Sequence, residues 1–115
     1  MNRPSFFINI EGEMVDRAEA LRVLQESRNT IDKIDEELIY LIKKRTSLAR
    51  DIASAKIALG IPIEDKERED YIQDKIKKIS KQKKIDENFI KKIMKILMDL
   101  NKKEQEELIR RETNG

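Results

Sequence analysis

The chain has 115 residues, of which 42% are charged and only 4% are aromatic. This length suits one domain, and the excess of Lys, Glu, Ile and Leu is typical of long helices. Because histidine and cysteine are absent, His-based acid–base catalysis, Cys/His zinc sites and disulfides are excluded. The 25 basic and 23 acidic residues are interspersed, which indicates solvated helix faces and argues against a nucleic-acid partner.

The first 20 residues are interpreted as an N-terminal extension whose order the sequence leaves open. They could lengthen the first helix, make a dimer contact through Phe6 and Phe7, or be disordered. The FFINI segment, residues 6–10, carries a weak strand signal and is too short for the apolar core of a signal peptide. Since no apolar run approaches the roughly 20 residues of a membrane span, we expect a cytoplasmic protein without a membrane partner.

One long amphipathic helix is predicted from about Asp16 to Leu59, a stretch that contains neither Pro nor Gly. Gly60 is placed to cap it, and Pro62 prevents its continuation. Its apolar residues recur at helical spacing, at Leu21, Leu24, Ile31, Ile34, Leu38, Leu41, Leu48 and Ile52. Such a helix would measure roughly 65 Å, whereas a compact domain of this size has a radius of gyration of about 13 Å. The uncovered stripe requires a partner, most simply a second copy in a two-fold dimer.

Two shorter helices are predicted to follow the long one. The second begins near Glu64 or Asp65, where acidic residues suit the positive end of the helix dipole, and reaches about Lys81. Asp86 is a good N-cap for the third helix, whose apolar stripe extends to Leu108. The last residues, 111–115, are predicted to fray.

Polar side chains interrupt the apolar stripes of all three predicted helices. Arg45 and Lys56 continue the stripe of the first helix and face the same way, about 16 Å apart along its axis. Each alone is more often a snorkelling or surface-paired side chain than a functional one. Their occurrence together with polar residues on the other two helices favours a site for a small ligand. Those further residues are Asp65, Arg68, Glu69, Asn101 and Gln105.

Arg28 adds a geometric clue to the predicted assembly. It precedes Arg45 by 17 residues, roughly 25 Å along a straight helix, and points about 100° away. One small ligand therefore cannot contact both residues of the same helix. If both serve one site, Arg28 must come from the other protomer.

The order and spacing of these residues resemble the all-helical class of chorismate mutases. The likeness covers about residues 21–108 and is specific as an ordered set, although any single piece of it would be weak evidence. Asn101 departs from the family, which commonly has a small hydroxyl residue there. The matching pieces are Arg28-Asn-Thr-Ile31-Asp32 with Asp35 and Leu38, Arg45-x-x-Leu48-Ala49, Lys56, Gly60-Ile-Pro62-Ile, Asp65-x-x-Arg68-Glu69, Asp86, Asn101 and Gln105.

The resemblance implies an all-α fold of one long, one short and one medium helix in an intertwined homodimer. It implies a monofunctional isomerase that rearranges chorismate to prephenate, in the shikimate pathway toward phenylalanine and tyrosine. The chorismate mutase domain would span residues 21–110, between the extension (1–20) and the frayed tail (111–115). Because this pericyclic rearrangement is unimolecular, no cofactor, metal or nucleophile is implied.

The resemblance also assigns the roles closest to the reaction. Arg28 of the partner subunit and Arg45 would bind the two carboxylates of the substrate, for which a planar guanidinium is well suited. Lys56 and Gln105 would donate hydrogen bonds to the ether oxygen of the breaking bond, where negative charge develops in the transition state.

Four further residues would surround the ring of the substrate. Glu69 and the backbone at Asp65 would hold the ring hydroxyl, while Arg68 and Asn101 would support the ring carboxylate directly or through water. Two alternatives stay open from the sequence. One is an isochorismate pyruvate lyase on the same scaffold, and the other is a non-enzymatic helical dimerisation module.

Overall fold

The computed structural model describes residues 6–8, 11–12 and 14–114. Within these residues the all-α prediction of one long, one short and one medium helix is confirmed, with lengths of 43, 18 and 28 residues. The chain divides into two compact units, one that ends at Tyr40 and one that begins at Leu41. The elements, in chain order, are strands β1 (Phe6–Ile8) and β2 (Met14–Asp16) and helices α1 (Arg17–Leu59), α2 (Lys66–Lys83) and α3 (Glu87–Asn114).

The first unit adds a short antiparallel hairpin to the predicted helix. Phe6 pairs with Asp16, and Ile8 pairs with Met14. The sequence gives only a weak strand signal here, because strands of three residues are too short to show alternation. The side chains of Phe6 and Phe7, for which a dimer contact is one of the options, lie outside the described residues, as do residues 1–5.

Asp16 fixes the beginning of α1, close to where the sequence predicts it. Its Oδ1 accepts a hydrogen bond from the backbone N–H of Glu19 at 2.7 Å, which satisfies one of the unpaired donors of the first turn. The last four residues of the predicted N-terminal extension therefore belong to α1.

The second unit contains the end of α1 and its connection to α2. The helix ends where Gly60 adopts a left-handed conformation with φ of 66°, and the N–H of Ile61 donates to the carbonyl of Lys56 at 2.9 Å. Glycine takes this conformation at little cost, and the following Pro62 cannot continue a helix. Asp65 then caps α2, since its Oδ1 accepts from the backbone N–H of Arg68 at 2.9 Å. These caps confirm the predicted end of α1 at Gly60 and the predicted beginning of α2 near Asp65.

Helices α2 and α3 pack against each other. Helix α2 ends at Lys83, two residues later than predicted, and Lys84 caps it in a left-handed conformation with φ of 55°. Asp86 caps α3 as predicted, because its Oδ1 accepts from the N–H of Phe89 at 3.2 Å. Among the described residues the buried apolar core is small and comprises Ala49, Ala53 and Ile76.

The C-terminal segment differs from the prediction that residues 111–115 fray. Helix α3 continues through Asn114, while Gly115 lies outside the described residues. Ion pairs and a side-chain hydrogen bond within the last turns explain this. Glu107 forms ion pairs with Arg110 and Arg111, and the hydroxyl of Thr113 donates to the carbonyl of Ile109 at 3.0 Å. Such local pairs stabilise a helix end that the amino-acid pattern alone does not mark.

Candidate active site

One cleft of about 620 Å³ in the second unit brings together seven of the eight site residues named from the sequence. They come from the second half of α1, the first turns of α2 and the C-terminal half of α3. The seven are Arg45, Lys56, Asp65, Arg68, Glu69, Asn101 and Gln105. Arg28, the eighth residue, belongs to the first unit and is not among the residues that line the cleft.

Arg45 gives the cleft an uncompensated positive charge. Its Nη1 is buried and makes no hydrogen bond within the described part of the chain. Burial lowers the pKa of the Arg45 guanidinium, and the nearby positive charge of Arg68 lowers it further. Since an unsatisfied buried donor costs free energy, these features suit the binding of an anion such as a carboxylate.

Lys56 is held at the end of α1 by the loop that follows. Its Nζ donates to the carbonyl oxygen of Ile63 at 2.7 Å, and its side chain is half-buried. An ammonium group has three donors, so this contact leaves two of them for a ligand. The backbone of the loop therefore orients the amine without neutralising its charge.

The beginning of α2 carries three site residues in distinct arrangements. The carboxylate of Asp65 is already engaged as the helix cap. Arg68 lies over the ring of Tyr71, with its guanidinium carbon 4.9 Å from the ring centroid, a distance at which cation–π attraction orients a guanidinium. Glu69 follows and also lines the cleft.

The α3 side of the cleft presents two amides one turn apart. Asn101 and Gln105 are both half-buried, and both line the cleft. The amide oxygen of Gln105 is buried without a hydrogen-bond partner among the described residues. An amide offers both donors and an acceptor, so Gln105 can bind a ligand oxygen without a change of protonation.

Two ion pairs that connect distant parts of the second unit were not anticipated from the sequence. Lys102 Nζ lies 2.8 Å from Glu64 Oε1, and Arg50 Nε lies 3.0 Å from Glu104 Oε2. Lys102 also lines the cleft. The sequence gives only a weak indication of these pairs. Glu64, Lys102 and Glu104 are charged neighbours of predicted site residues, but nothing in the sequence shows which charges pair.

A second cavity of about 360 Å³ shares Arg45, Arg68 and Ile72 with the cleft and is otherwise mostly apolar. The buried hydroxyl of Ser80 lines it and has no hydrogen-bond partner within the described chain.

Among the described residues, no group of three or more acidic side chains is placed to hold a metal ion. None of the described helices combines the length and apolar character needed to cross a bilayer.

Comparisons with known proteins agree on one family. The sequence matches the model of chorismate mutase type II over residues 27–106. A chorismate mutase of Methanocaldococcus jannaschii is 46% identical over 91 residues, which are 79% of this chain and 92% of that protein. The NMR structure of a monomeric chorismate mutase from Methanococcus jannaschii aligns with a TM-score of 0.62 and 40% identity, over 80% of this chain and 96% of that one.

Bifunctional relatives also match, over a small part of their length. A chorismate mutase/prephenate dehydratase of Aquifex aeolicus is 41% identical over 59 residues, 51% of this chain and 16% of that protein. A protein of the same description from Buchnera aphidicola is 29% identical over 87 residues, 76% of this chain and 23% of its own length. From the family model and the 46% identical relative, it follows that the chain belongs to the type II chorismate mutases, an isomerase family.

Proposed function

We propose that the cleft converts chorismate to prephenate by holding the substrate in a compact conformer and by stabilising the charge that develops on its ether oxygen. The observation that carries this proposal is the gathering of Arg45, Lys56, Arg68 and Gln105 in one cleft. Three cations and an amide suit a dianionic substrate whose reaction requires no proton transfer.

Arg45 would be the main residue of this chain that binds a substrate carboxylate. Its buried Nη1 lacks a partner within the described residues, and a carboxylate would supply the missing acceptor. Charge-assisted contacts of this kind are stronger than neutral hydrogen bonds. Arg68, which Tyr71 orients from one side, and Asn101 would support the ring carboxylate from α2 and α3.

The ether oxygen, which becomes negative in the transition state, would lie between Lys56 and Gln105. The carbonyl of Ile63 takes one donor of Lys56, and the remaining donors would point to the ether oxygen together with the amide of Gln105. Lys56 and Gln105 belong to the long helices α1 and α3. Because these helices hold the two donors in place, the donors need little reorganisation during the reaction. Such fixed donors are worth more in a cleft than in bulk water.

The ring hydroxyl of the substrate would be held at the beginning of α2. The carboxylate of Asp65 accepts from the backbone N–H of Arg68, so the side chain of Asp65 is engaged and its backbone is the part left for the substrate. The carboxylate of Glu69 would accept a hydrogen bond from the ring hydroxyl. Asp65 would thus stabilise the fold through its side chain and bind the substrate through its main chain.

The proposal includes an intertwined homodimer in which Arg28 of the partner subunit completes each site. The apolar stripe of α1 is exposed in the single chain, with Leu38 51% and Leu48 51% accessible. An exposed stripe of this length is typical of an interface. The solved relative described above is a monomeric chorismate mutase. For this protein we expect sedimentation or light scattering to give the mass of a dimer.

We place the catalytic domain at residues 21–110 and expect it to act in the cytoplasm, in aromatic amino acid biosynthesis. The direct test of the activity is an assay of the purified protein with chorismate and, separately, with isochorismate. Consumption of chorismate with formation of prephenate is expected. If only isochorismate is consumed, with release of pyruvate, the lyase alternative replaces the mutase. If neither substrate reacts, the helical dimerisation module becomes the better interpretation.

Gln105→Glu is expected to make the rate depend on pH, although the wild-type rate stays level between about pH 5 and pH 8. A carboxyl group donates a hydrogen bond only when it is protonated, whereas an amide donates at any pH. The variant should therefore lose kcat as pH rises through the pKa of the new carboxyl group, whose ordinary value of about 4.3 burial raises. The measurement is kcat against pH for both proteins.

The matched control is Gln82→Glu, because Gln82 is exposed near the end of α2. This control should keep the level wild-type profile. A wild-type rate that itself collapses between about pH 5 and pH 8 would remove Gln105 from the proposed role.

A further inference from the structure

Lys102 lines the cleft on α3, between Asn101 and Gln105, and takes no part in the contacts proposed above. Its ammonium group donates to Glu64 Oε1 at 2.8 Å. The two residues lie 38 positions apart in the sequence. Their ion pair therefore joins α3 to the loop between α1 and α2.

This loop carries two groups on which the site depends. Residues 61–65 form neither helix nor strand, and side-chain contacts add to the backbone hydrogen bonds at their two ends. Ile63, which precedes Glu64, gives its carbonyl to Lys56 Nζ at 2.7 Å. Asp65, which follows Glu64, caps α2 through the N–H of Arg68 at 2.9 Å. A shift of Glu64 would move both groups together.

We propose that Lys102 is a positioning residue for the chorismate mutase reaction. Its ion pair with Glu64 holds the loop of residues 61–65 against α3, and thereby fixes Lys56 and the beginning of α2 relative to Gln105. This inference rests on the proposed function of the cleft.

The charges of the pair support this geometry across the neutral range. The hydrogen bond to Glu64 raises the pKa of Lys102, and the charges of Glu69 and Glu106 add to the effect. The same hydrogen bond lowers the pKa of Glu64. The contribution of Glu64 is lost only as pH falls below its ordinary pKa of about 4.3 and through its lowered folded value. That of Lys102 is lost only as pH rises above about 10.4 and through its raised folded value.

The exposure of the two side chains indicates a local effect rather than a large contribution to folding. Glu64 is 79% exposed and Lys102 is 37% exposed, and exposed ion pairs add little to global stability. Rate is more sensitive than stability to such a contact, because a small displacement of a catalytic group is costly. We therefore expect a change in kcat without a comparable change in thermal unfolding.

The test is steady-state kinetics on chorismate with Lys102→Gln, Glu64→Gln and the double variant. Each single variant should lower kcat by about two- to fivefold, with a smaller change in KM. The double variant should be no slower than either single variant, since both remove the same contact. The charge-swapped protein, Lys102→Glu with Glu64→Lys, should recover part of the lost kcat, and Lys102→Arg should keep most of it.

Lys103→Gln is the matched control, because Lys103 is exposed, neighbours Lys102 on α3 and does not line the cleft. It should keep the wild-type kcat at the same change of net charge. Thermal unfolding followed by circular dichroism should show all variants folded. If Lys102→Gln does not fold, Glu64→Gln carries the test, because it removes the same ion pair.

Two results would overturn the positioning role. If Lys102 binds the substrate directly, Glu64→Gln will keep the wild-type kcat and the charge-swapped protein will be as slow as Lys102→Gln. If Lys102→Gln and Glu64→Gln both match an active wild-type enzyme, the ion pair has no role in the reaction. A wild-type protein that does not convert chorismate instead rejects the proposed function itself, and the inference with it.

Discussion

Lys56→Ala is expected to lower kcat by about 10²- to 10³-fold, the effect of removing one donor from a developing negative charge. In the folded protein Lys56 Nζ is already 2.7 Å from the carbonyl of Ile63, so its position is set before substrate binds. The loss should appear mainly in kcat, because the contact strengthens as the ether bond breaks. The measurement is steady-state kinetics on chorismate, with circular dichroism to show that the helices remain.

Lys44→Ala is the control for this variant, since Lys44 is an exposed cation on the same helix. It removes the same charge and should keep the wild-type kcat. If Lys56→Ala retained full activity, Lys56 would have no place in the mechanism, and the ether oxygen would have to be stabilised by other donors.

Arg28→Ala and Arg45→Ala are each expected to reduce kcat/KM by about 10²- to 10³-fold, because each removes a charged partner of a substrate carboxylate. The decisive result comes from mixing the two inactive proteins. If each site takes Arg28 from one protomer and Arg45 from the other, half of the randomly mixed dimers contain one intact site. The mixture should then regain about one quarter of the wild-type activity.

This complementation requires that subunits exchange, which unfolding and refolding of the mixture ensures. The control is Arg45→Ala mixed with Lys56→Ala, two residues that line the same cleft of one chain. That mixture should stay inactive, since no combination of these chains yields an intact site. Equal activity in the two mixtures, or none in either, would contradict the assignment of Arg28 to the partner subunit.

Much of the fold and of the site could be predicted from local patterns. The ends of α1 and α2 depend on Asp16, Gly60 and Asp65, whose conformational preferences act over one turn. The polar interruptions at Arg45 and Gln105 also follow from helical spacing alone. Because a helix repeats regularly, a residue's place on its face can be read from its number.

Features that depend on contacts between distant segments could not be predicted in this way. The Lys102–Glu64 pair joins residues from α3 and from an irregular loop. The local sequence of neither segment indicates that the other is its partner. The hairpin before α1 has strands of three residues, below the length at which a period of two is visible. The continuation of α3 through Asn114 depends on pairs such as Glu107 with Arg111. Each such pair stabilises the helix end by only a small free energy, so the sequence does not show whether the end frays.

Ala49 shows that the cleft owes its space to a side chain that is nearly absent. It lies one turn after Arg45 on α1 and lines the same cleft, and it is only 3% exposed. A methyl group at this point leaves room between the two cationic side chains of the helix, Arg45 and Lys56. A larger residue would occupy that room without altering any charge. The shape of the ligand that fits therefore depends on the space that the small side chain of Ala49 leaves, as well as on the groups that bind the ligand.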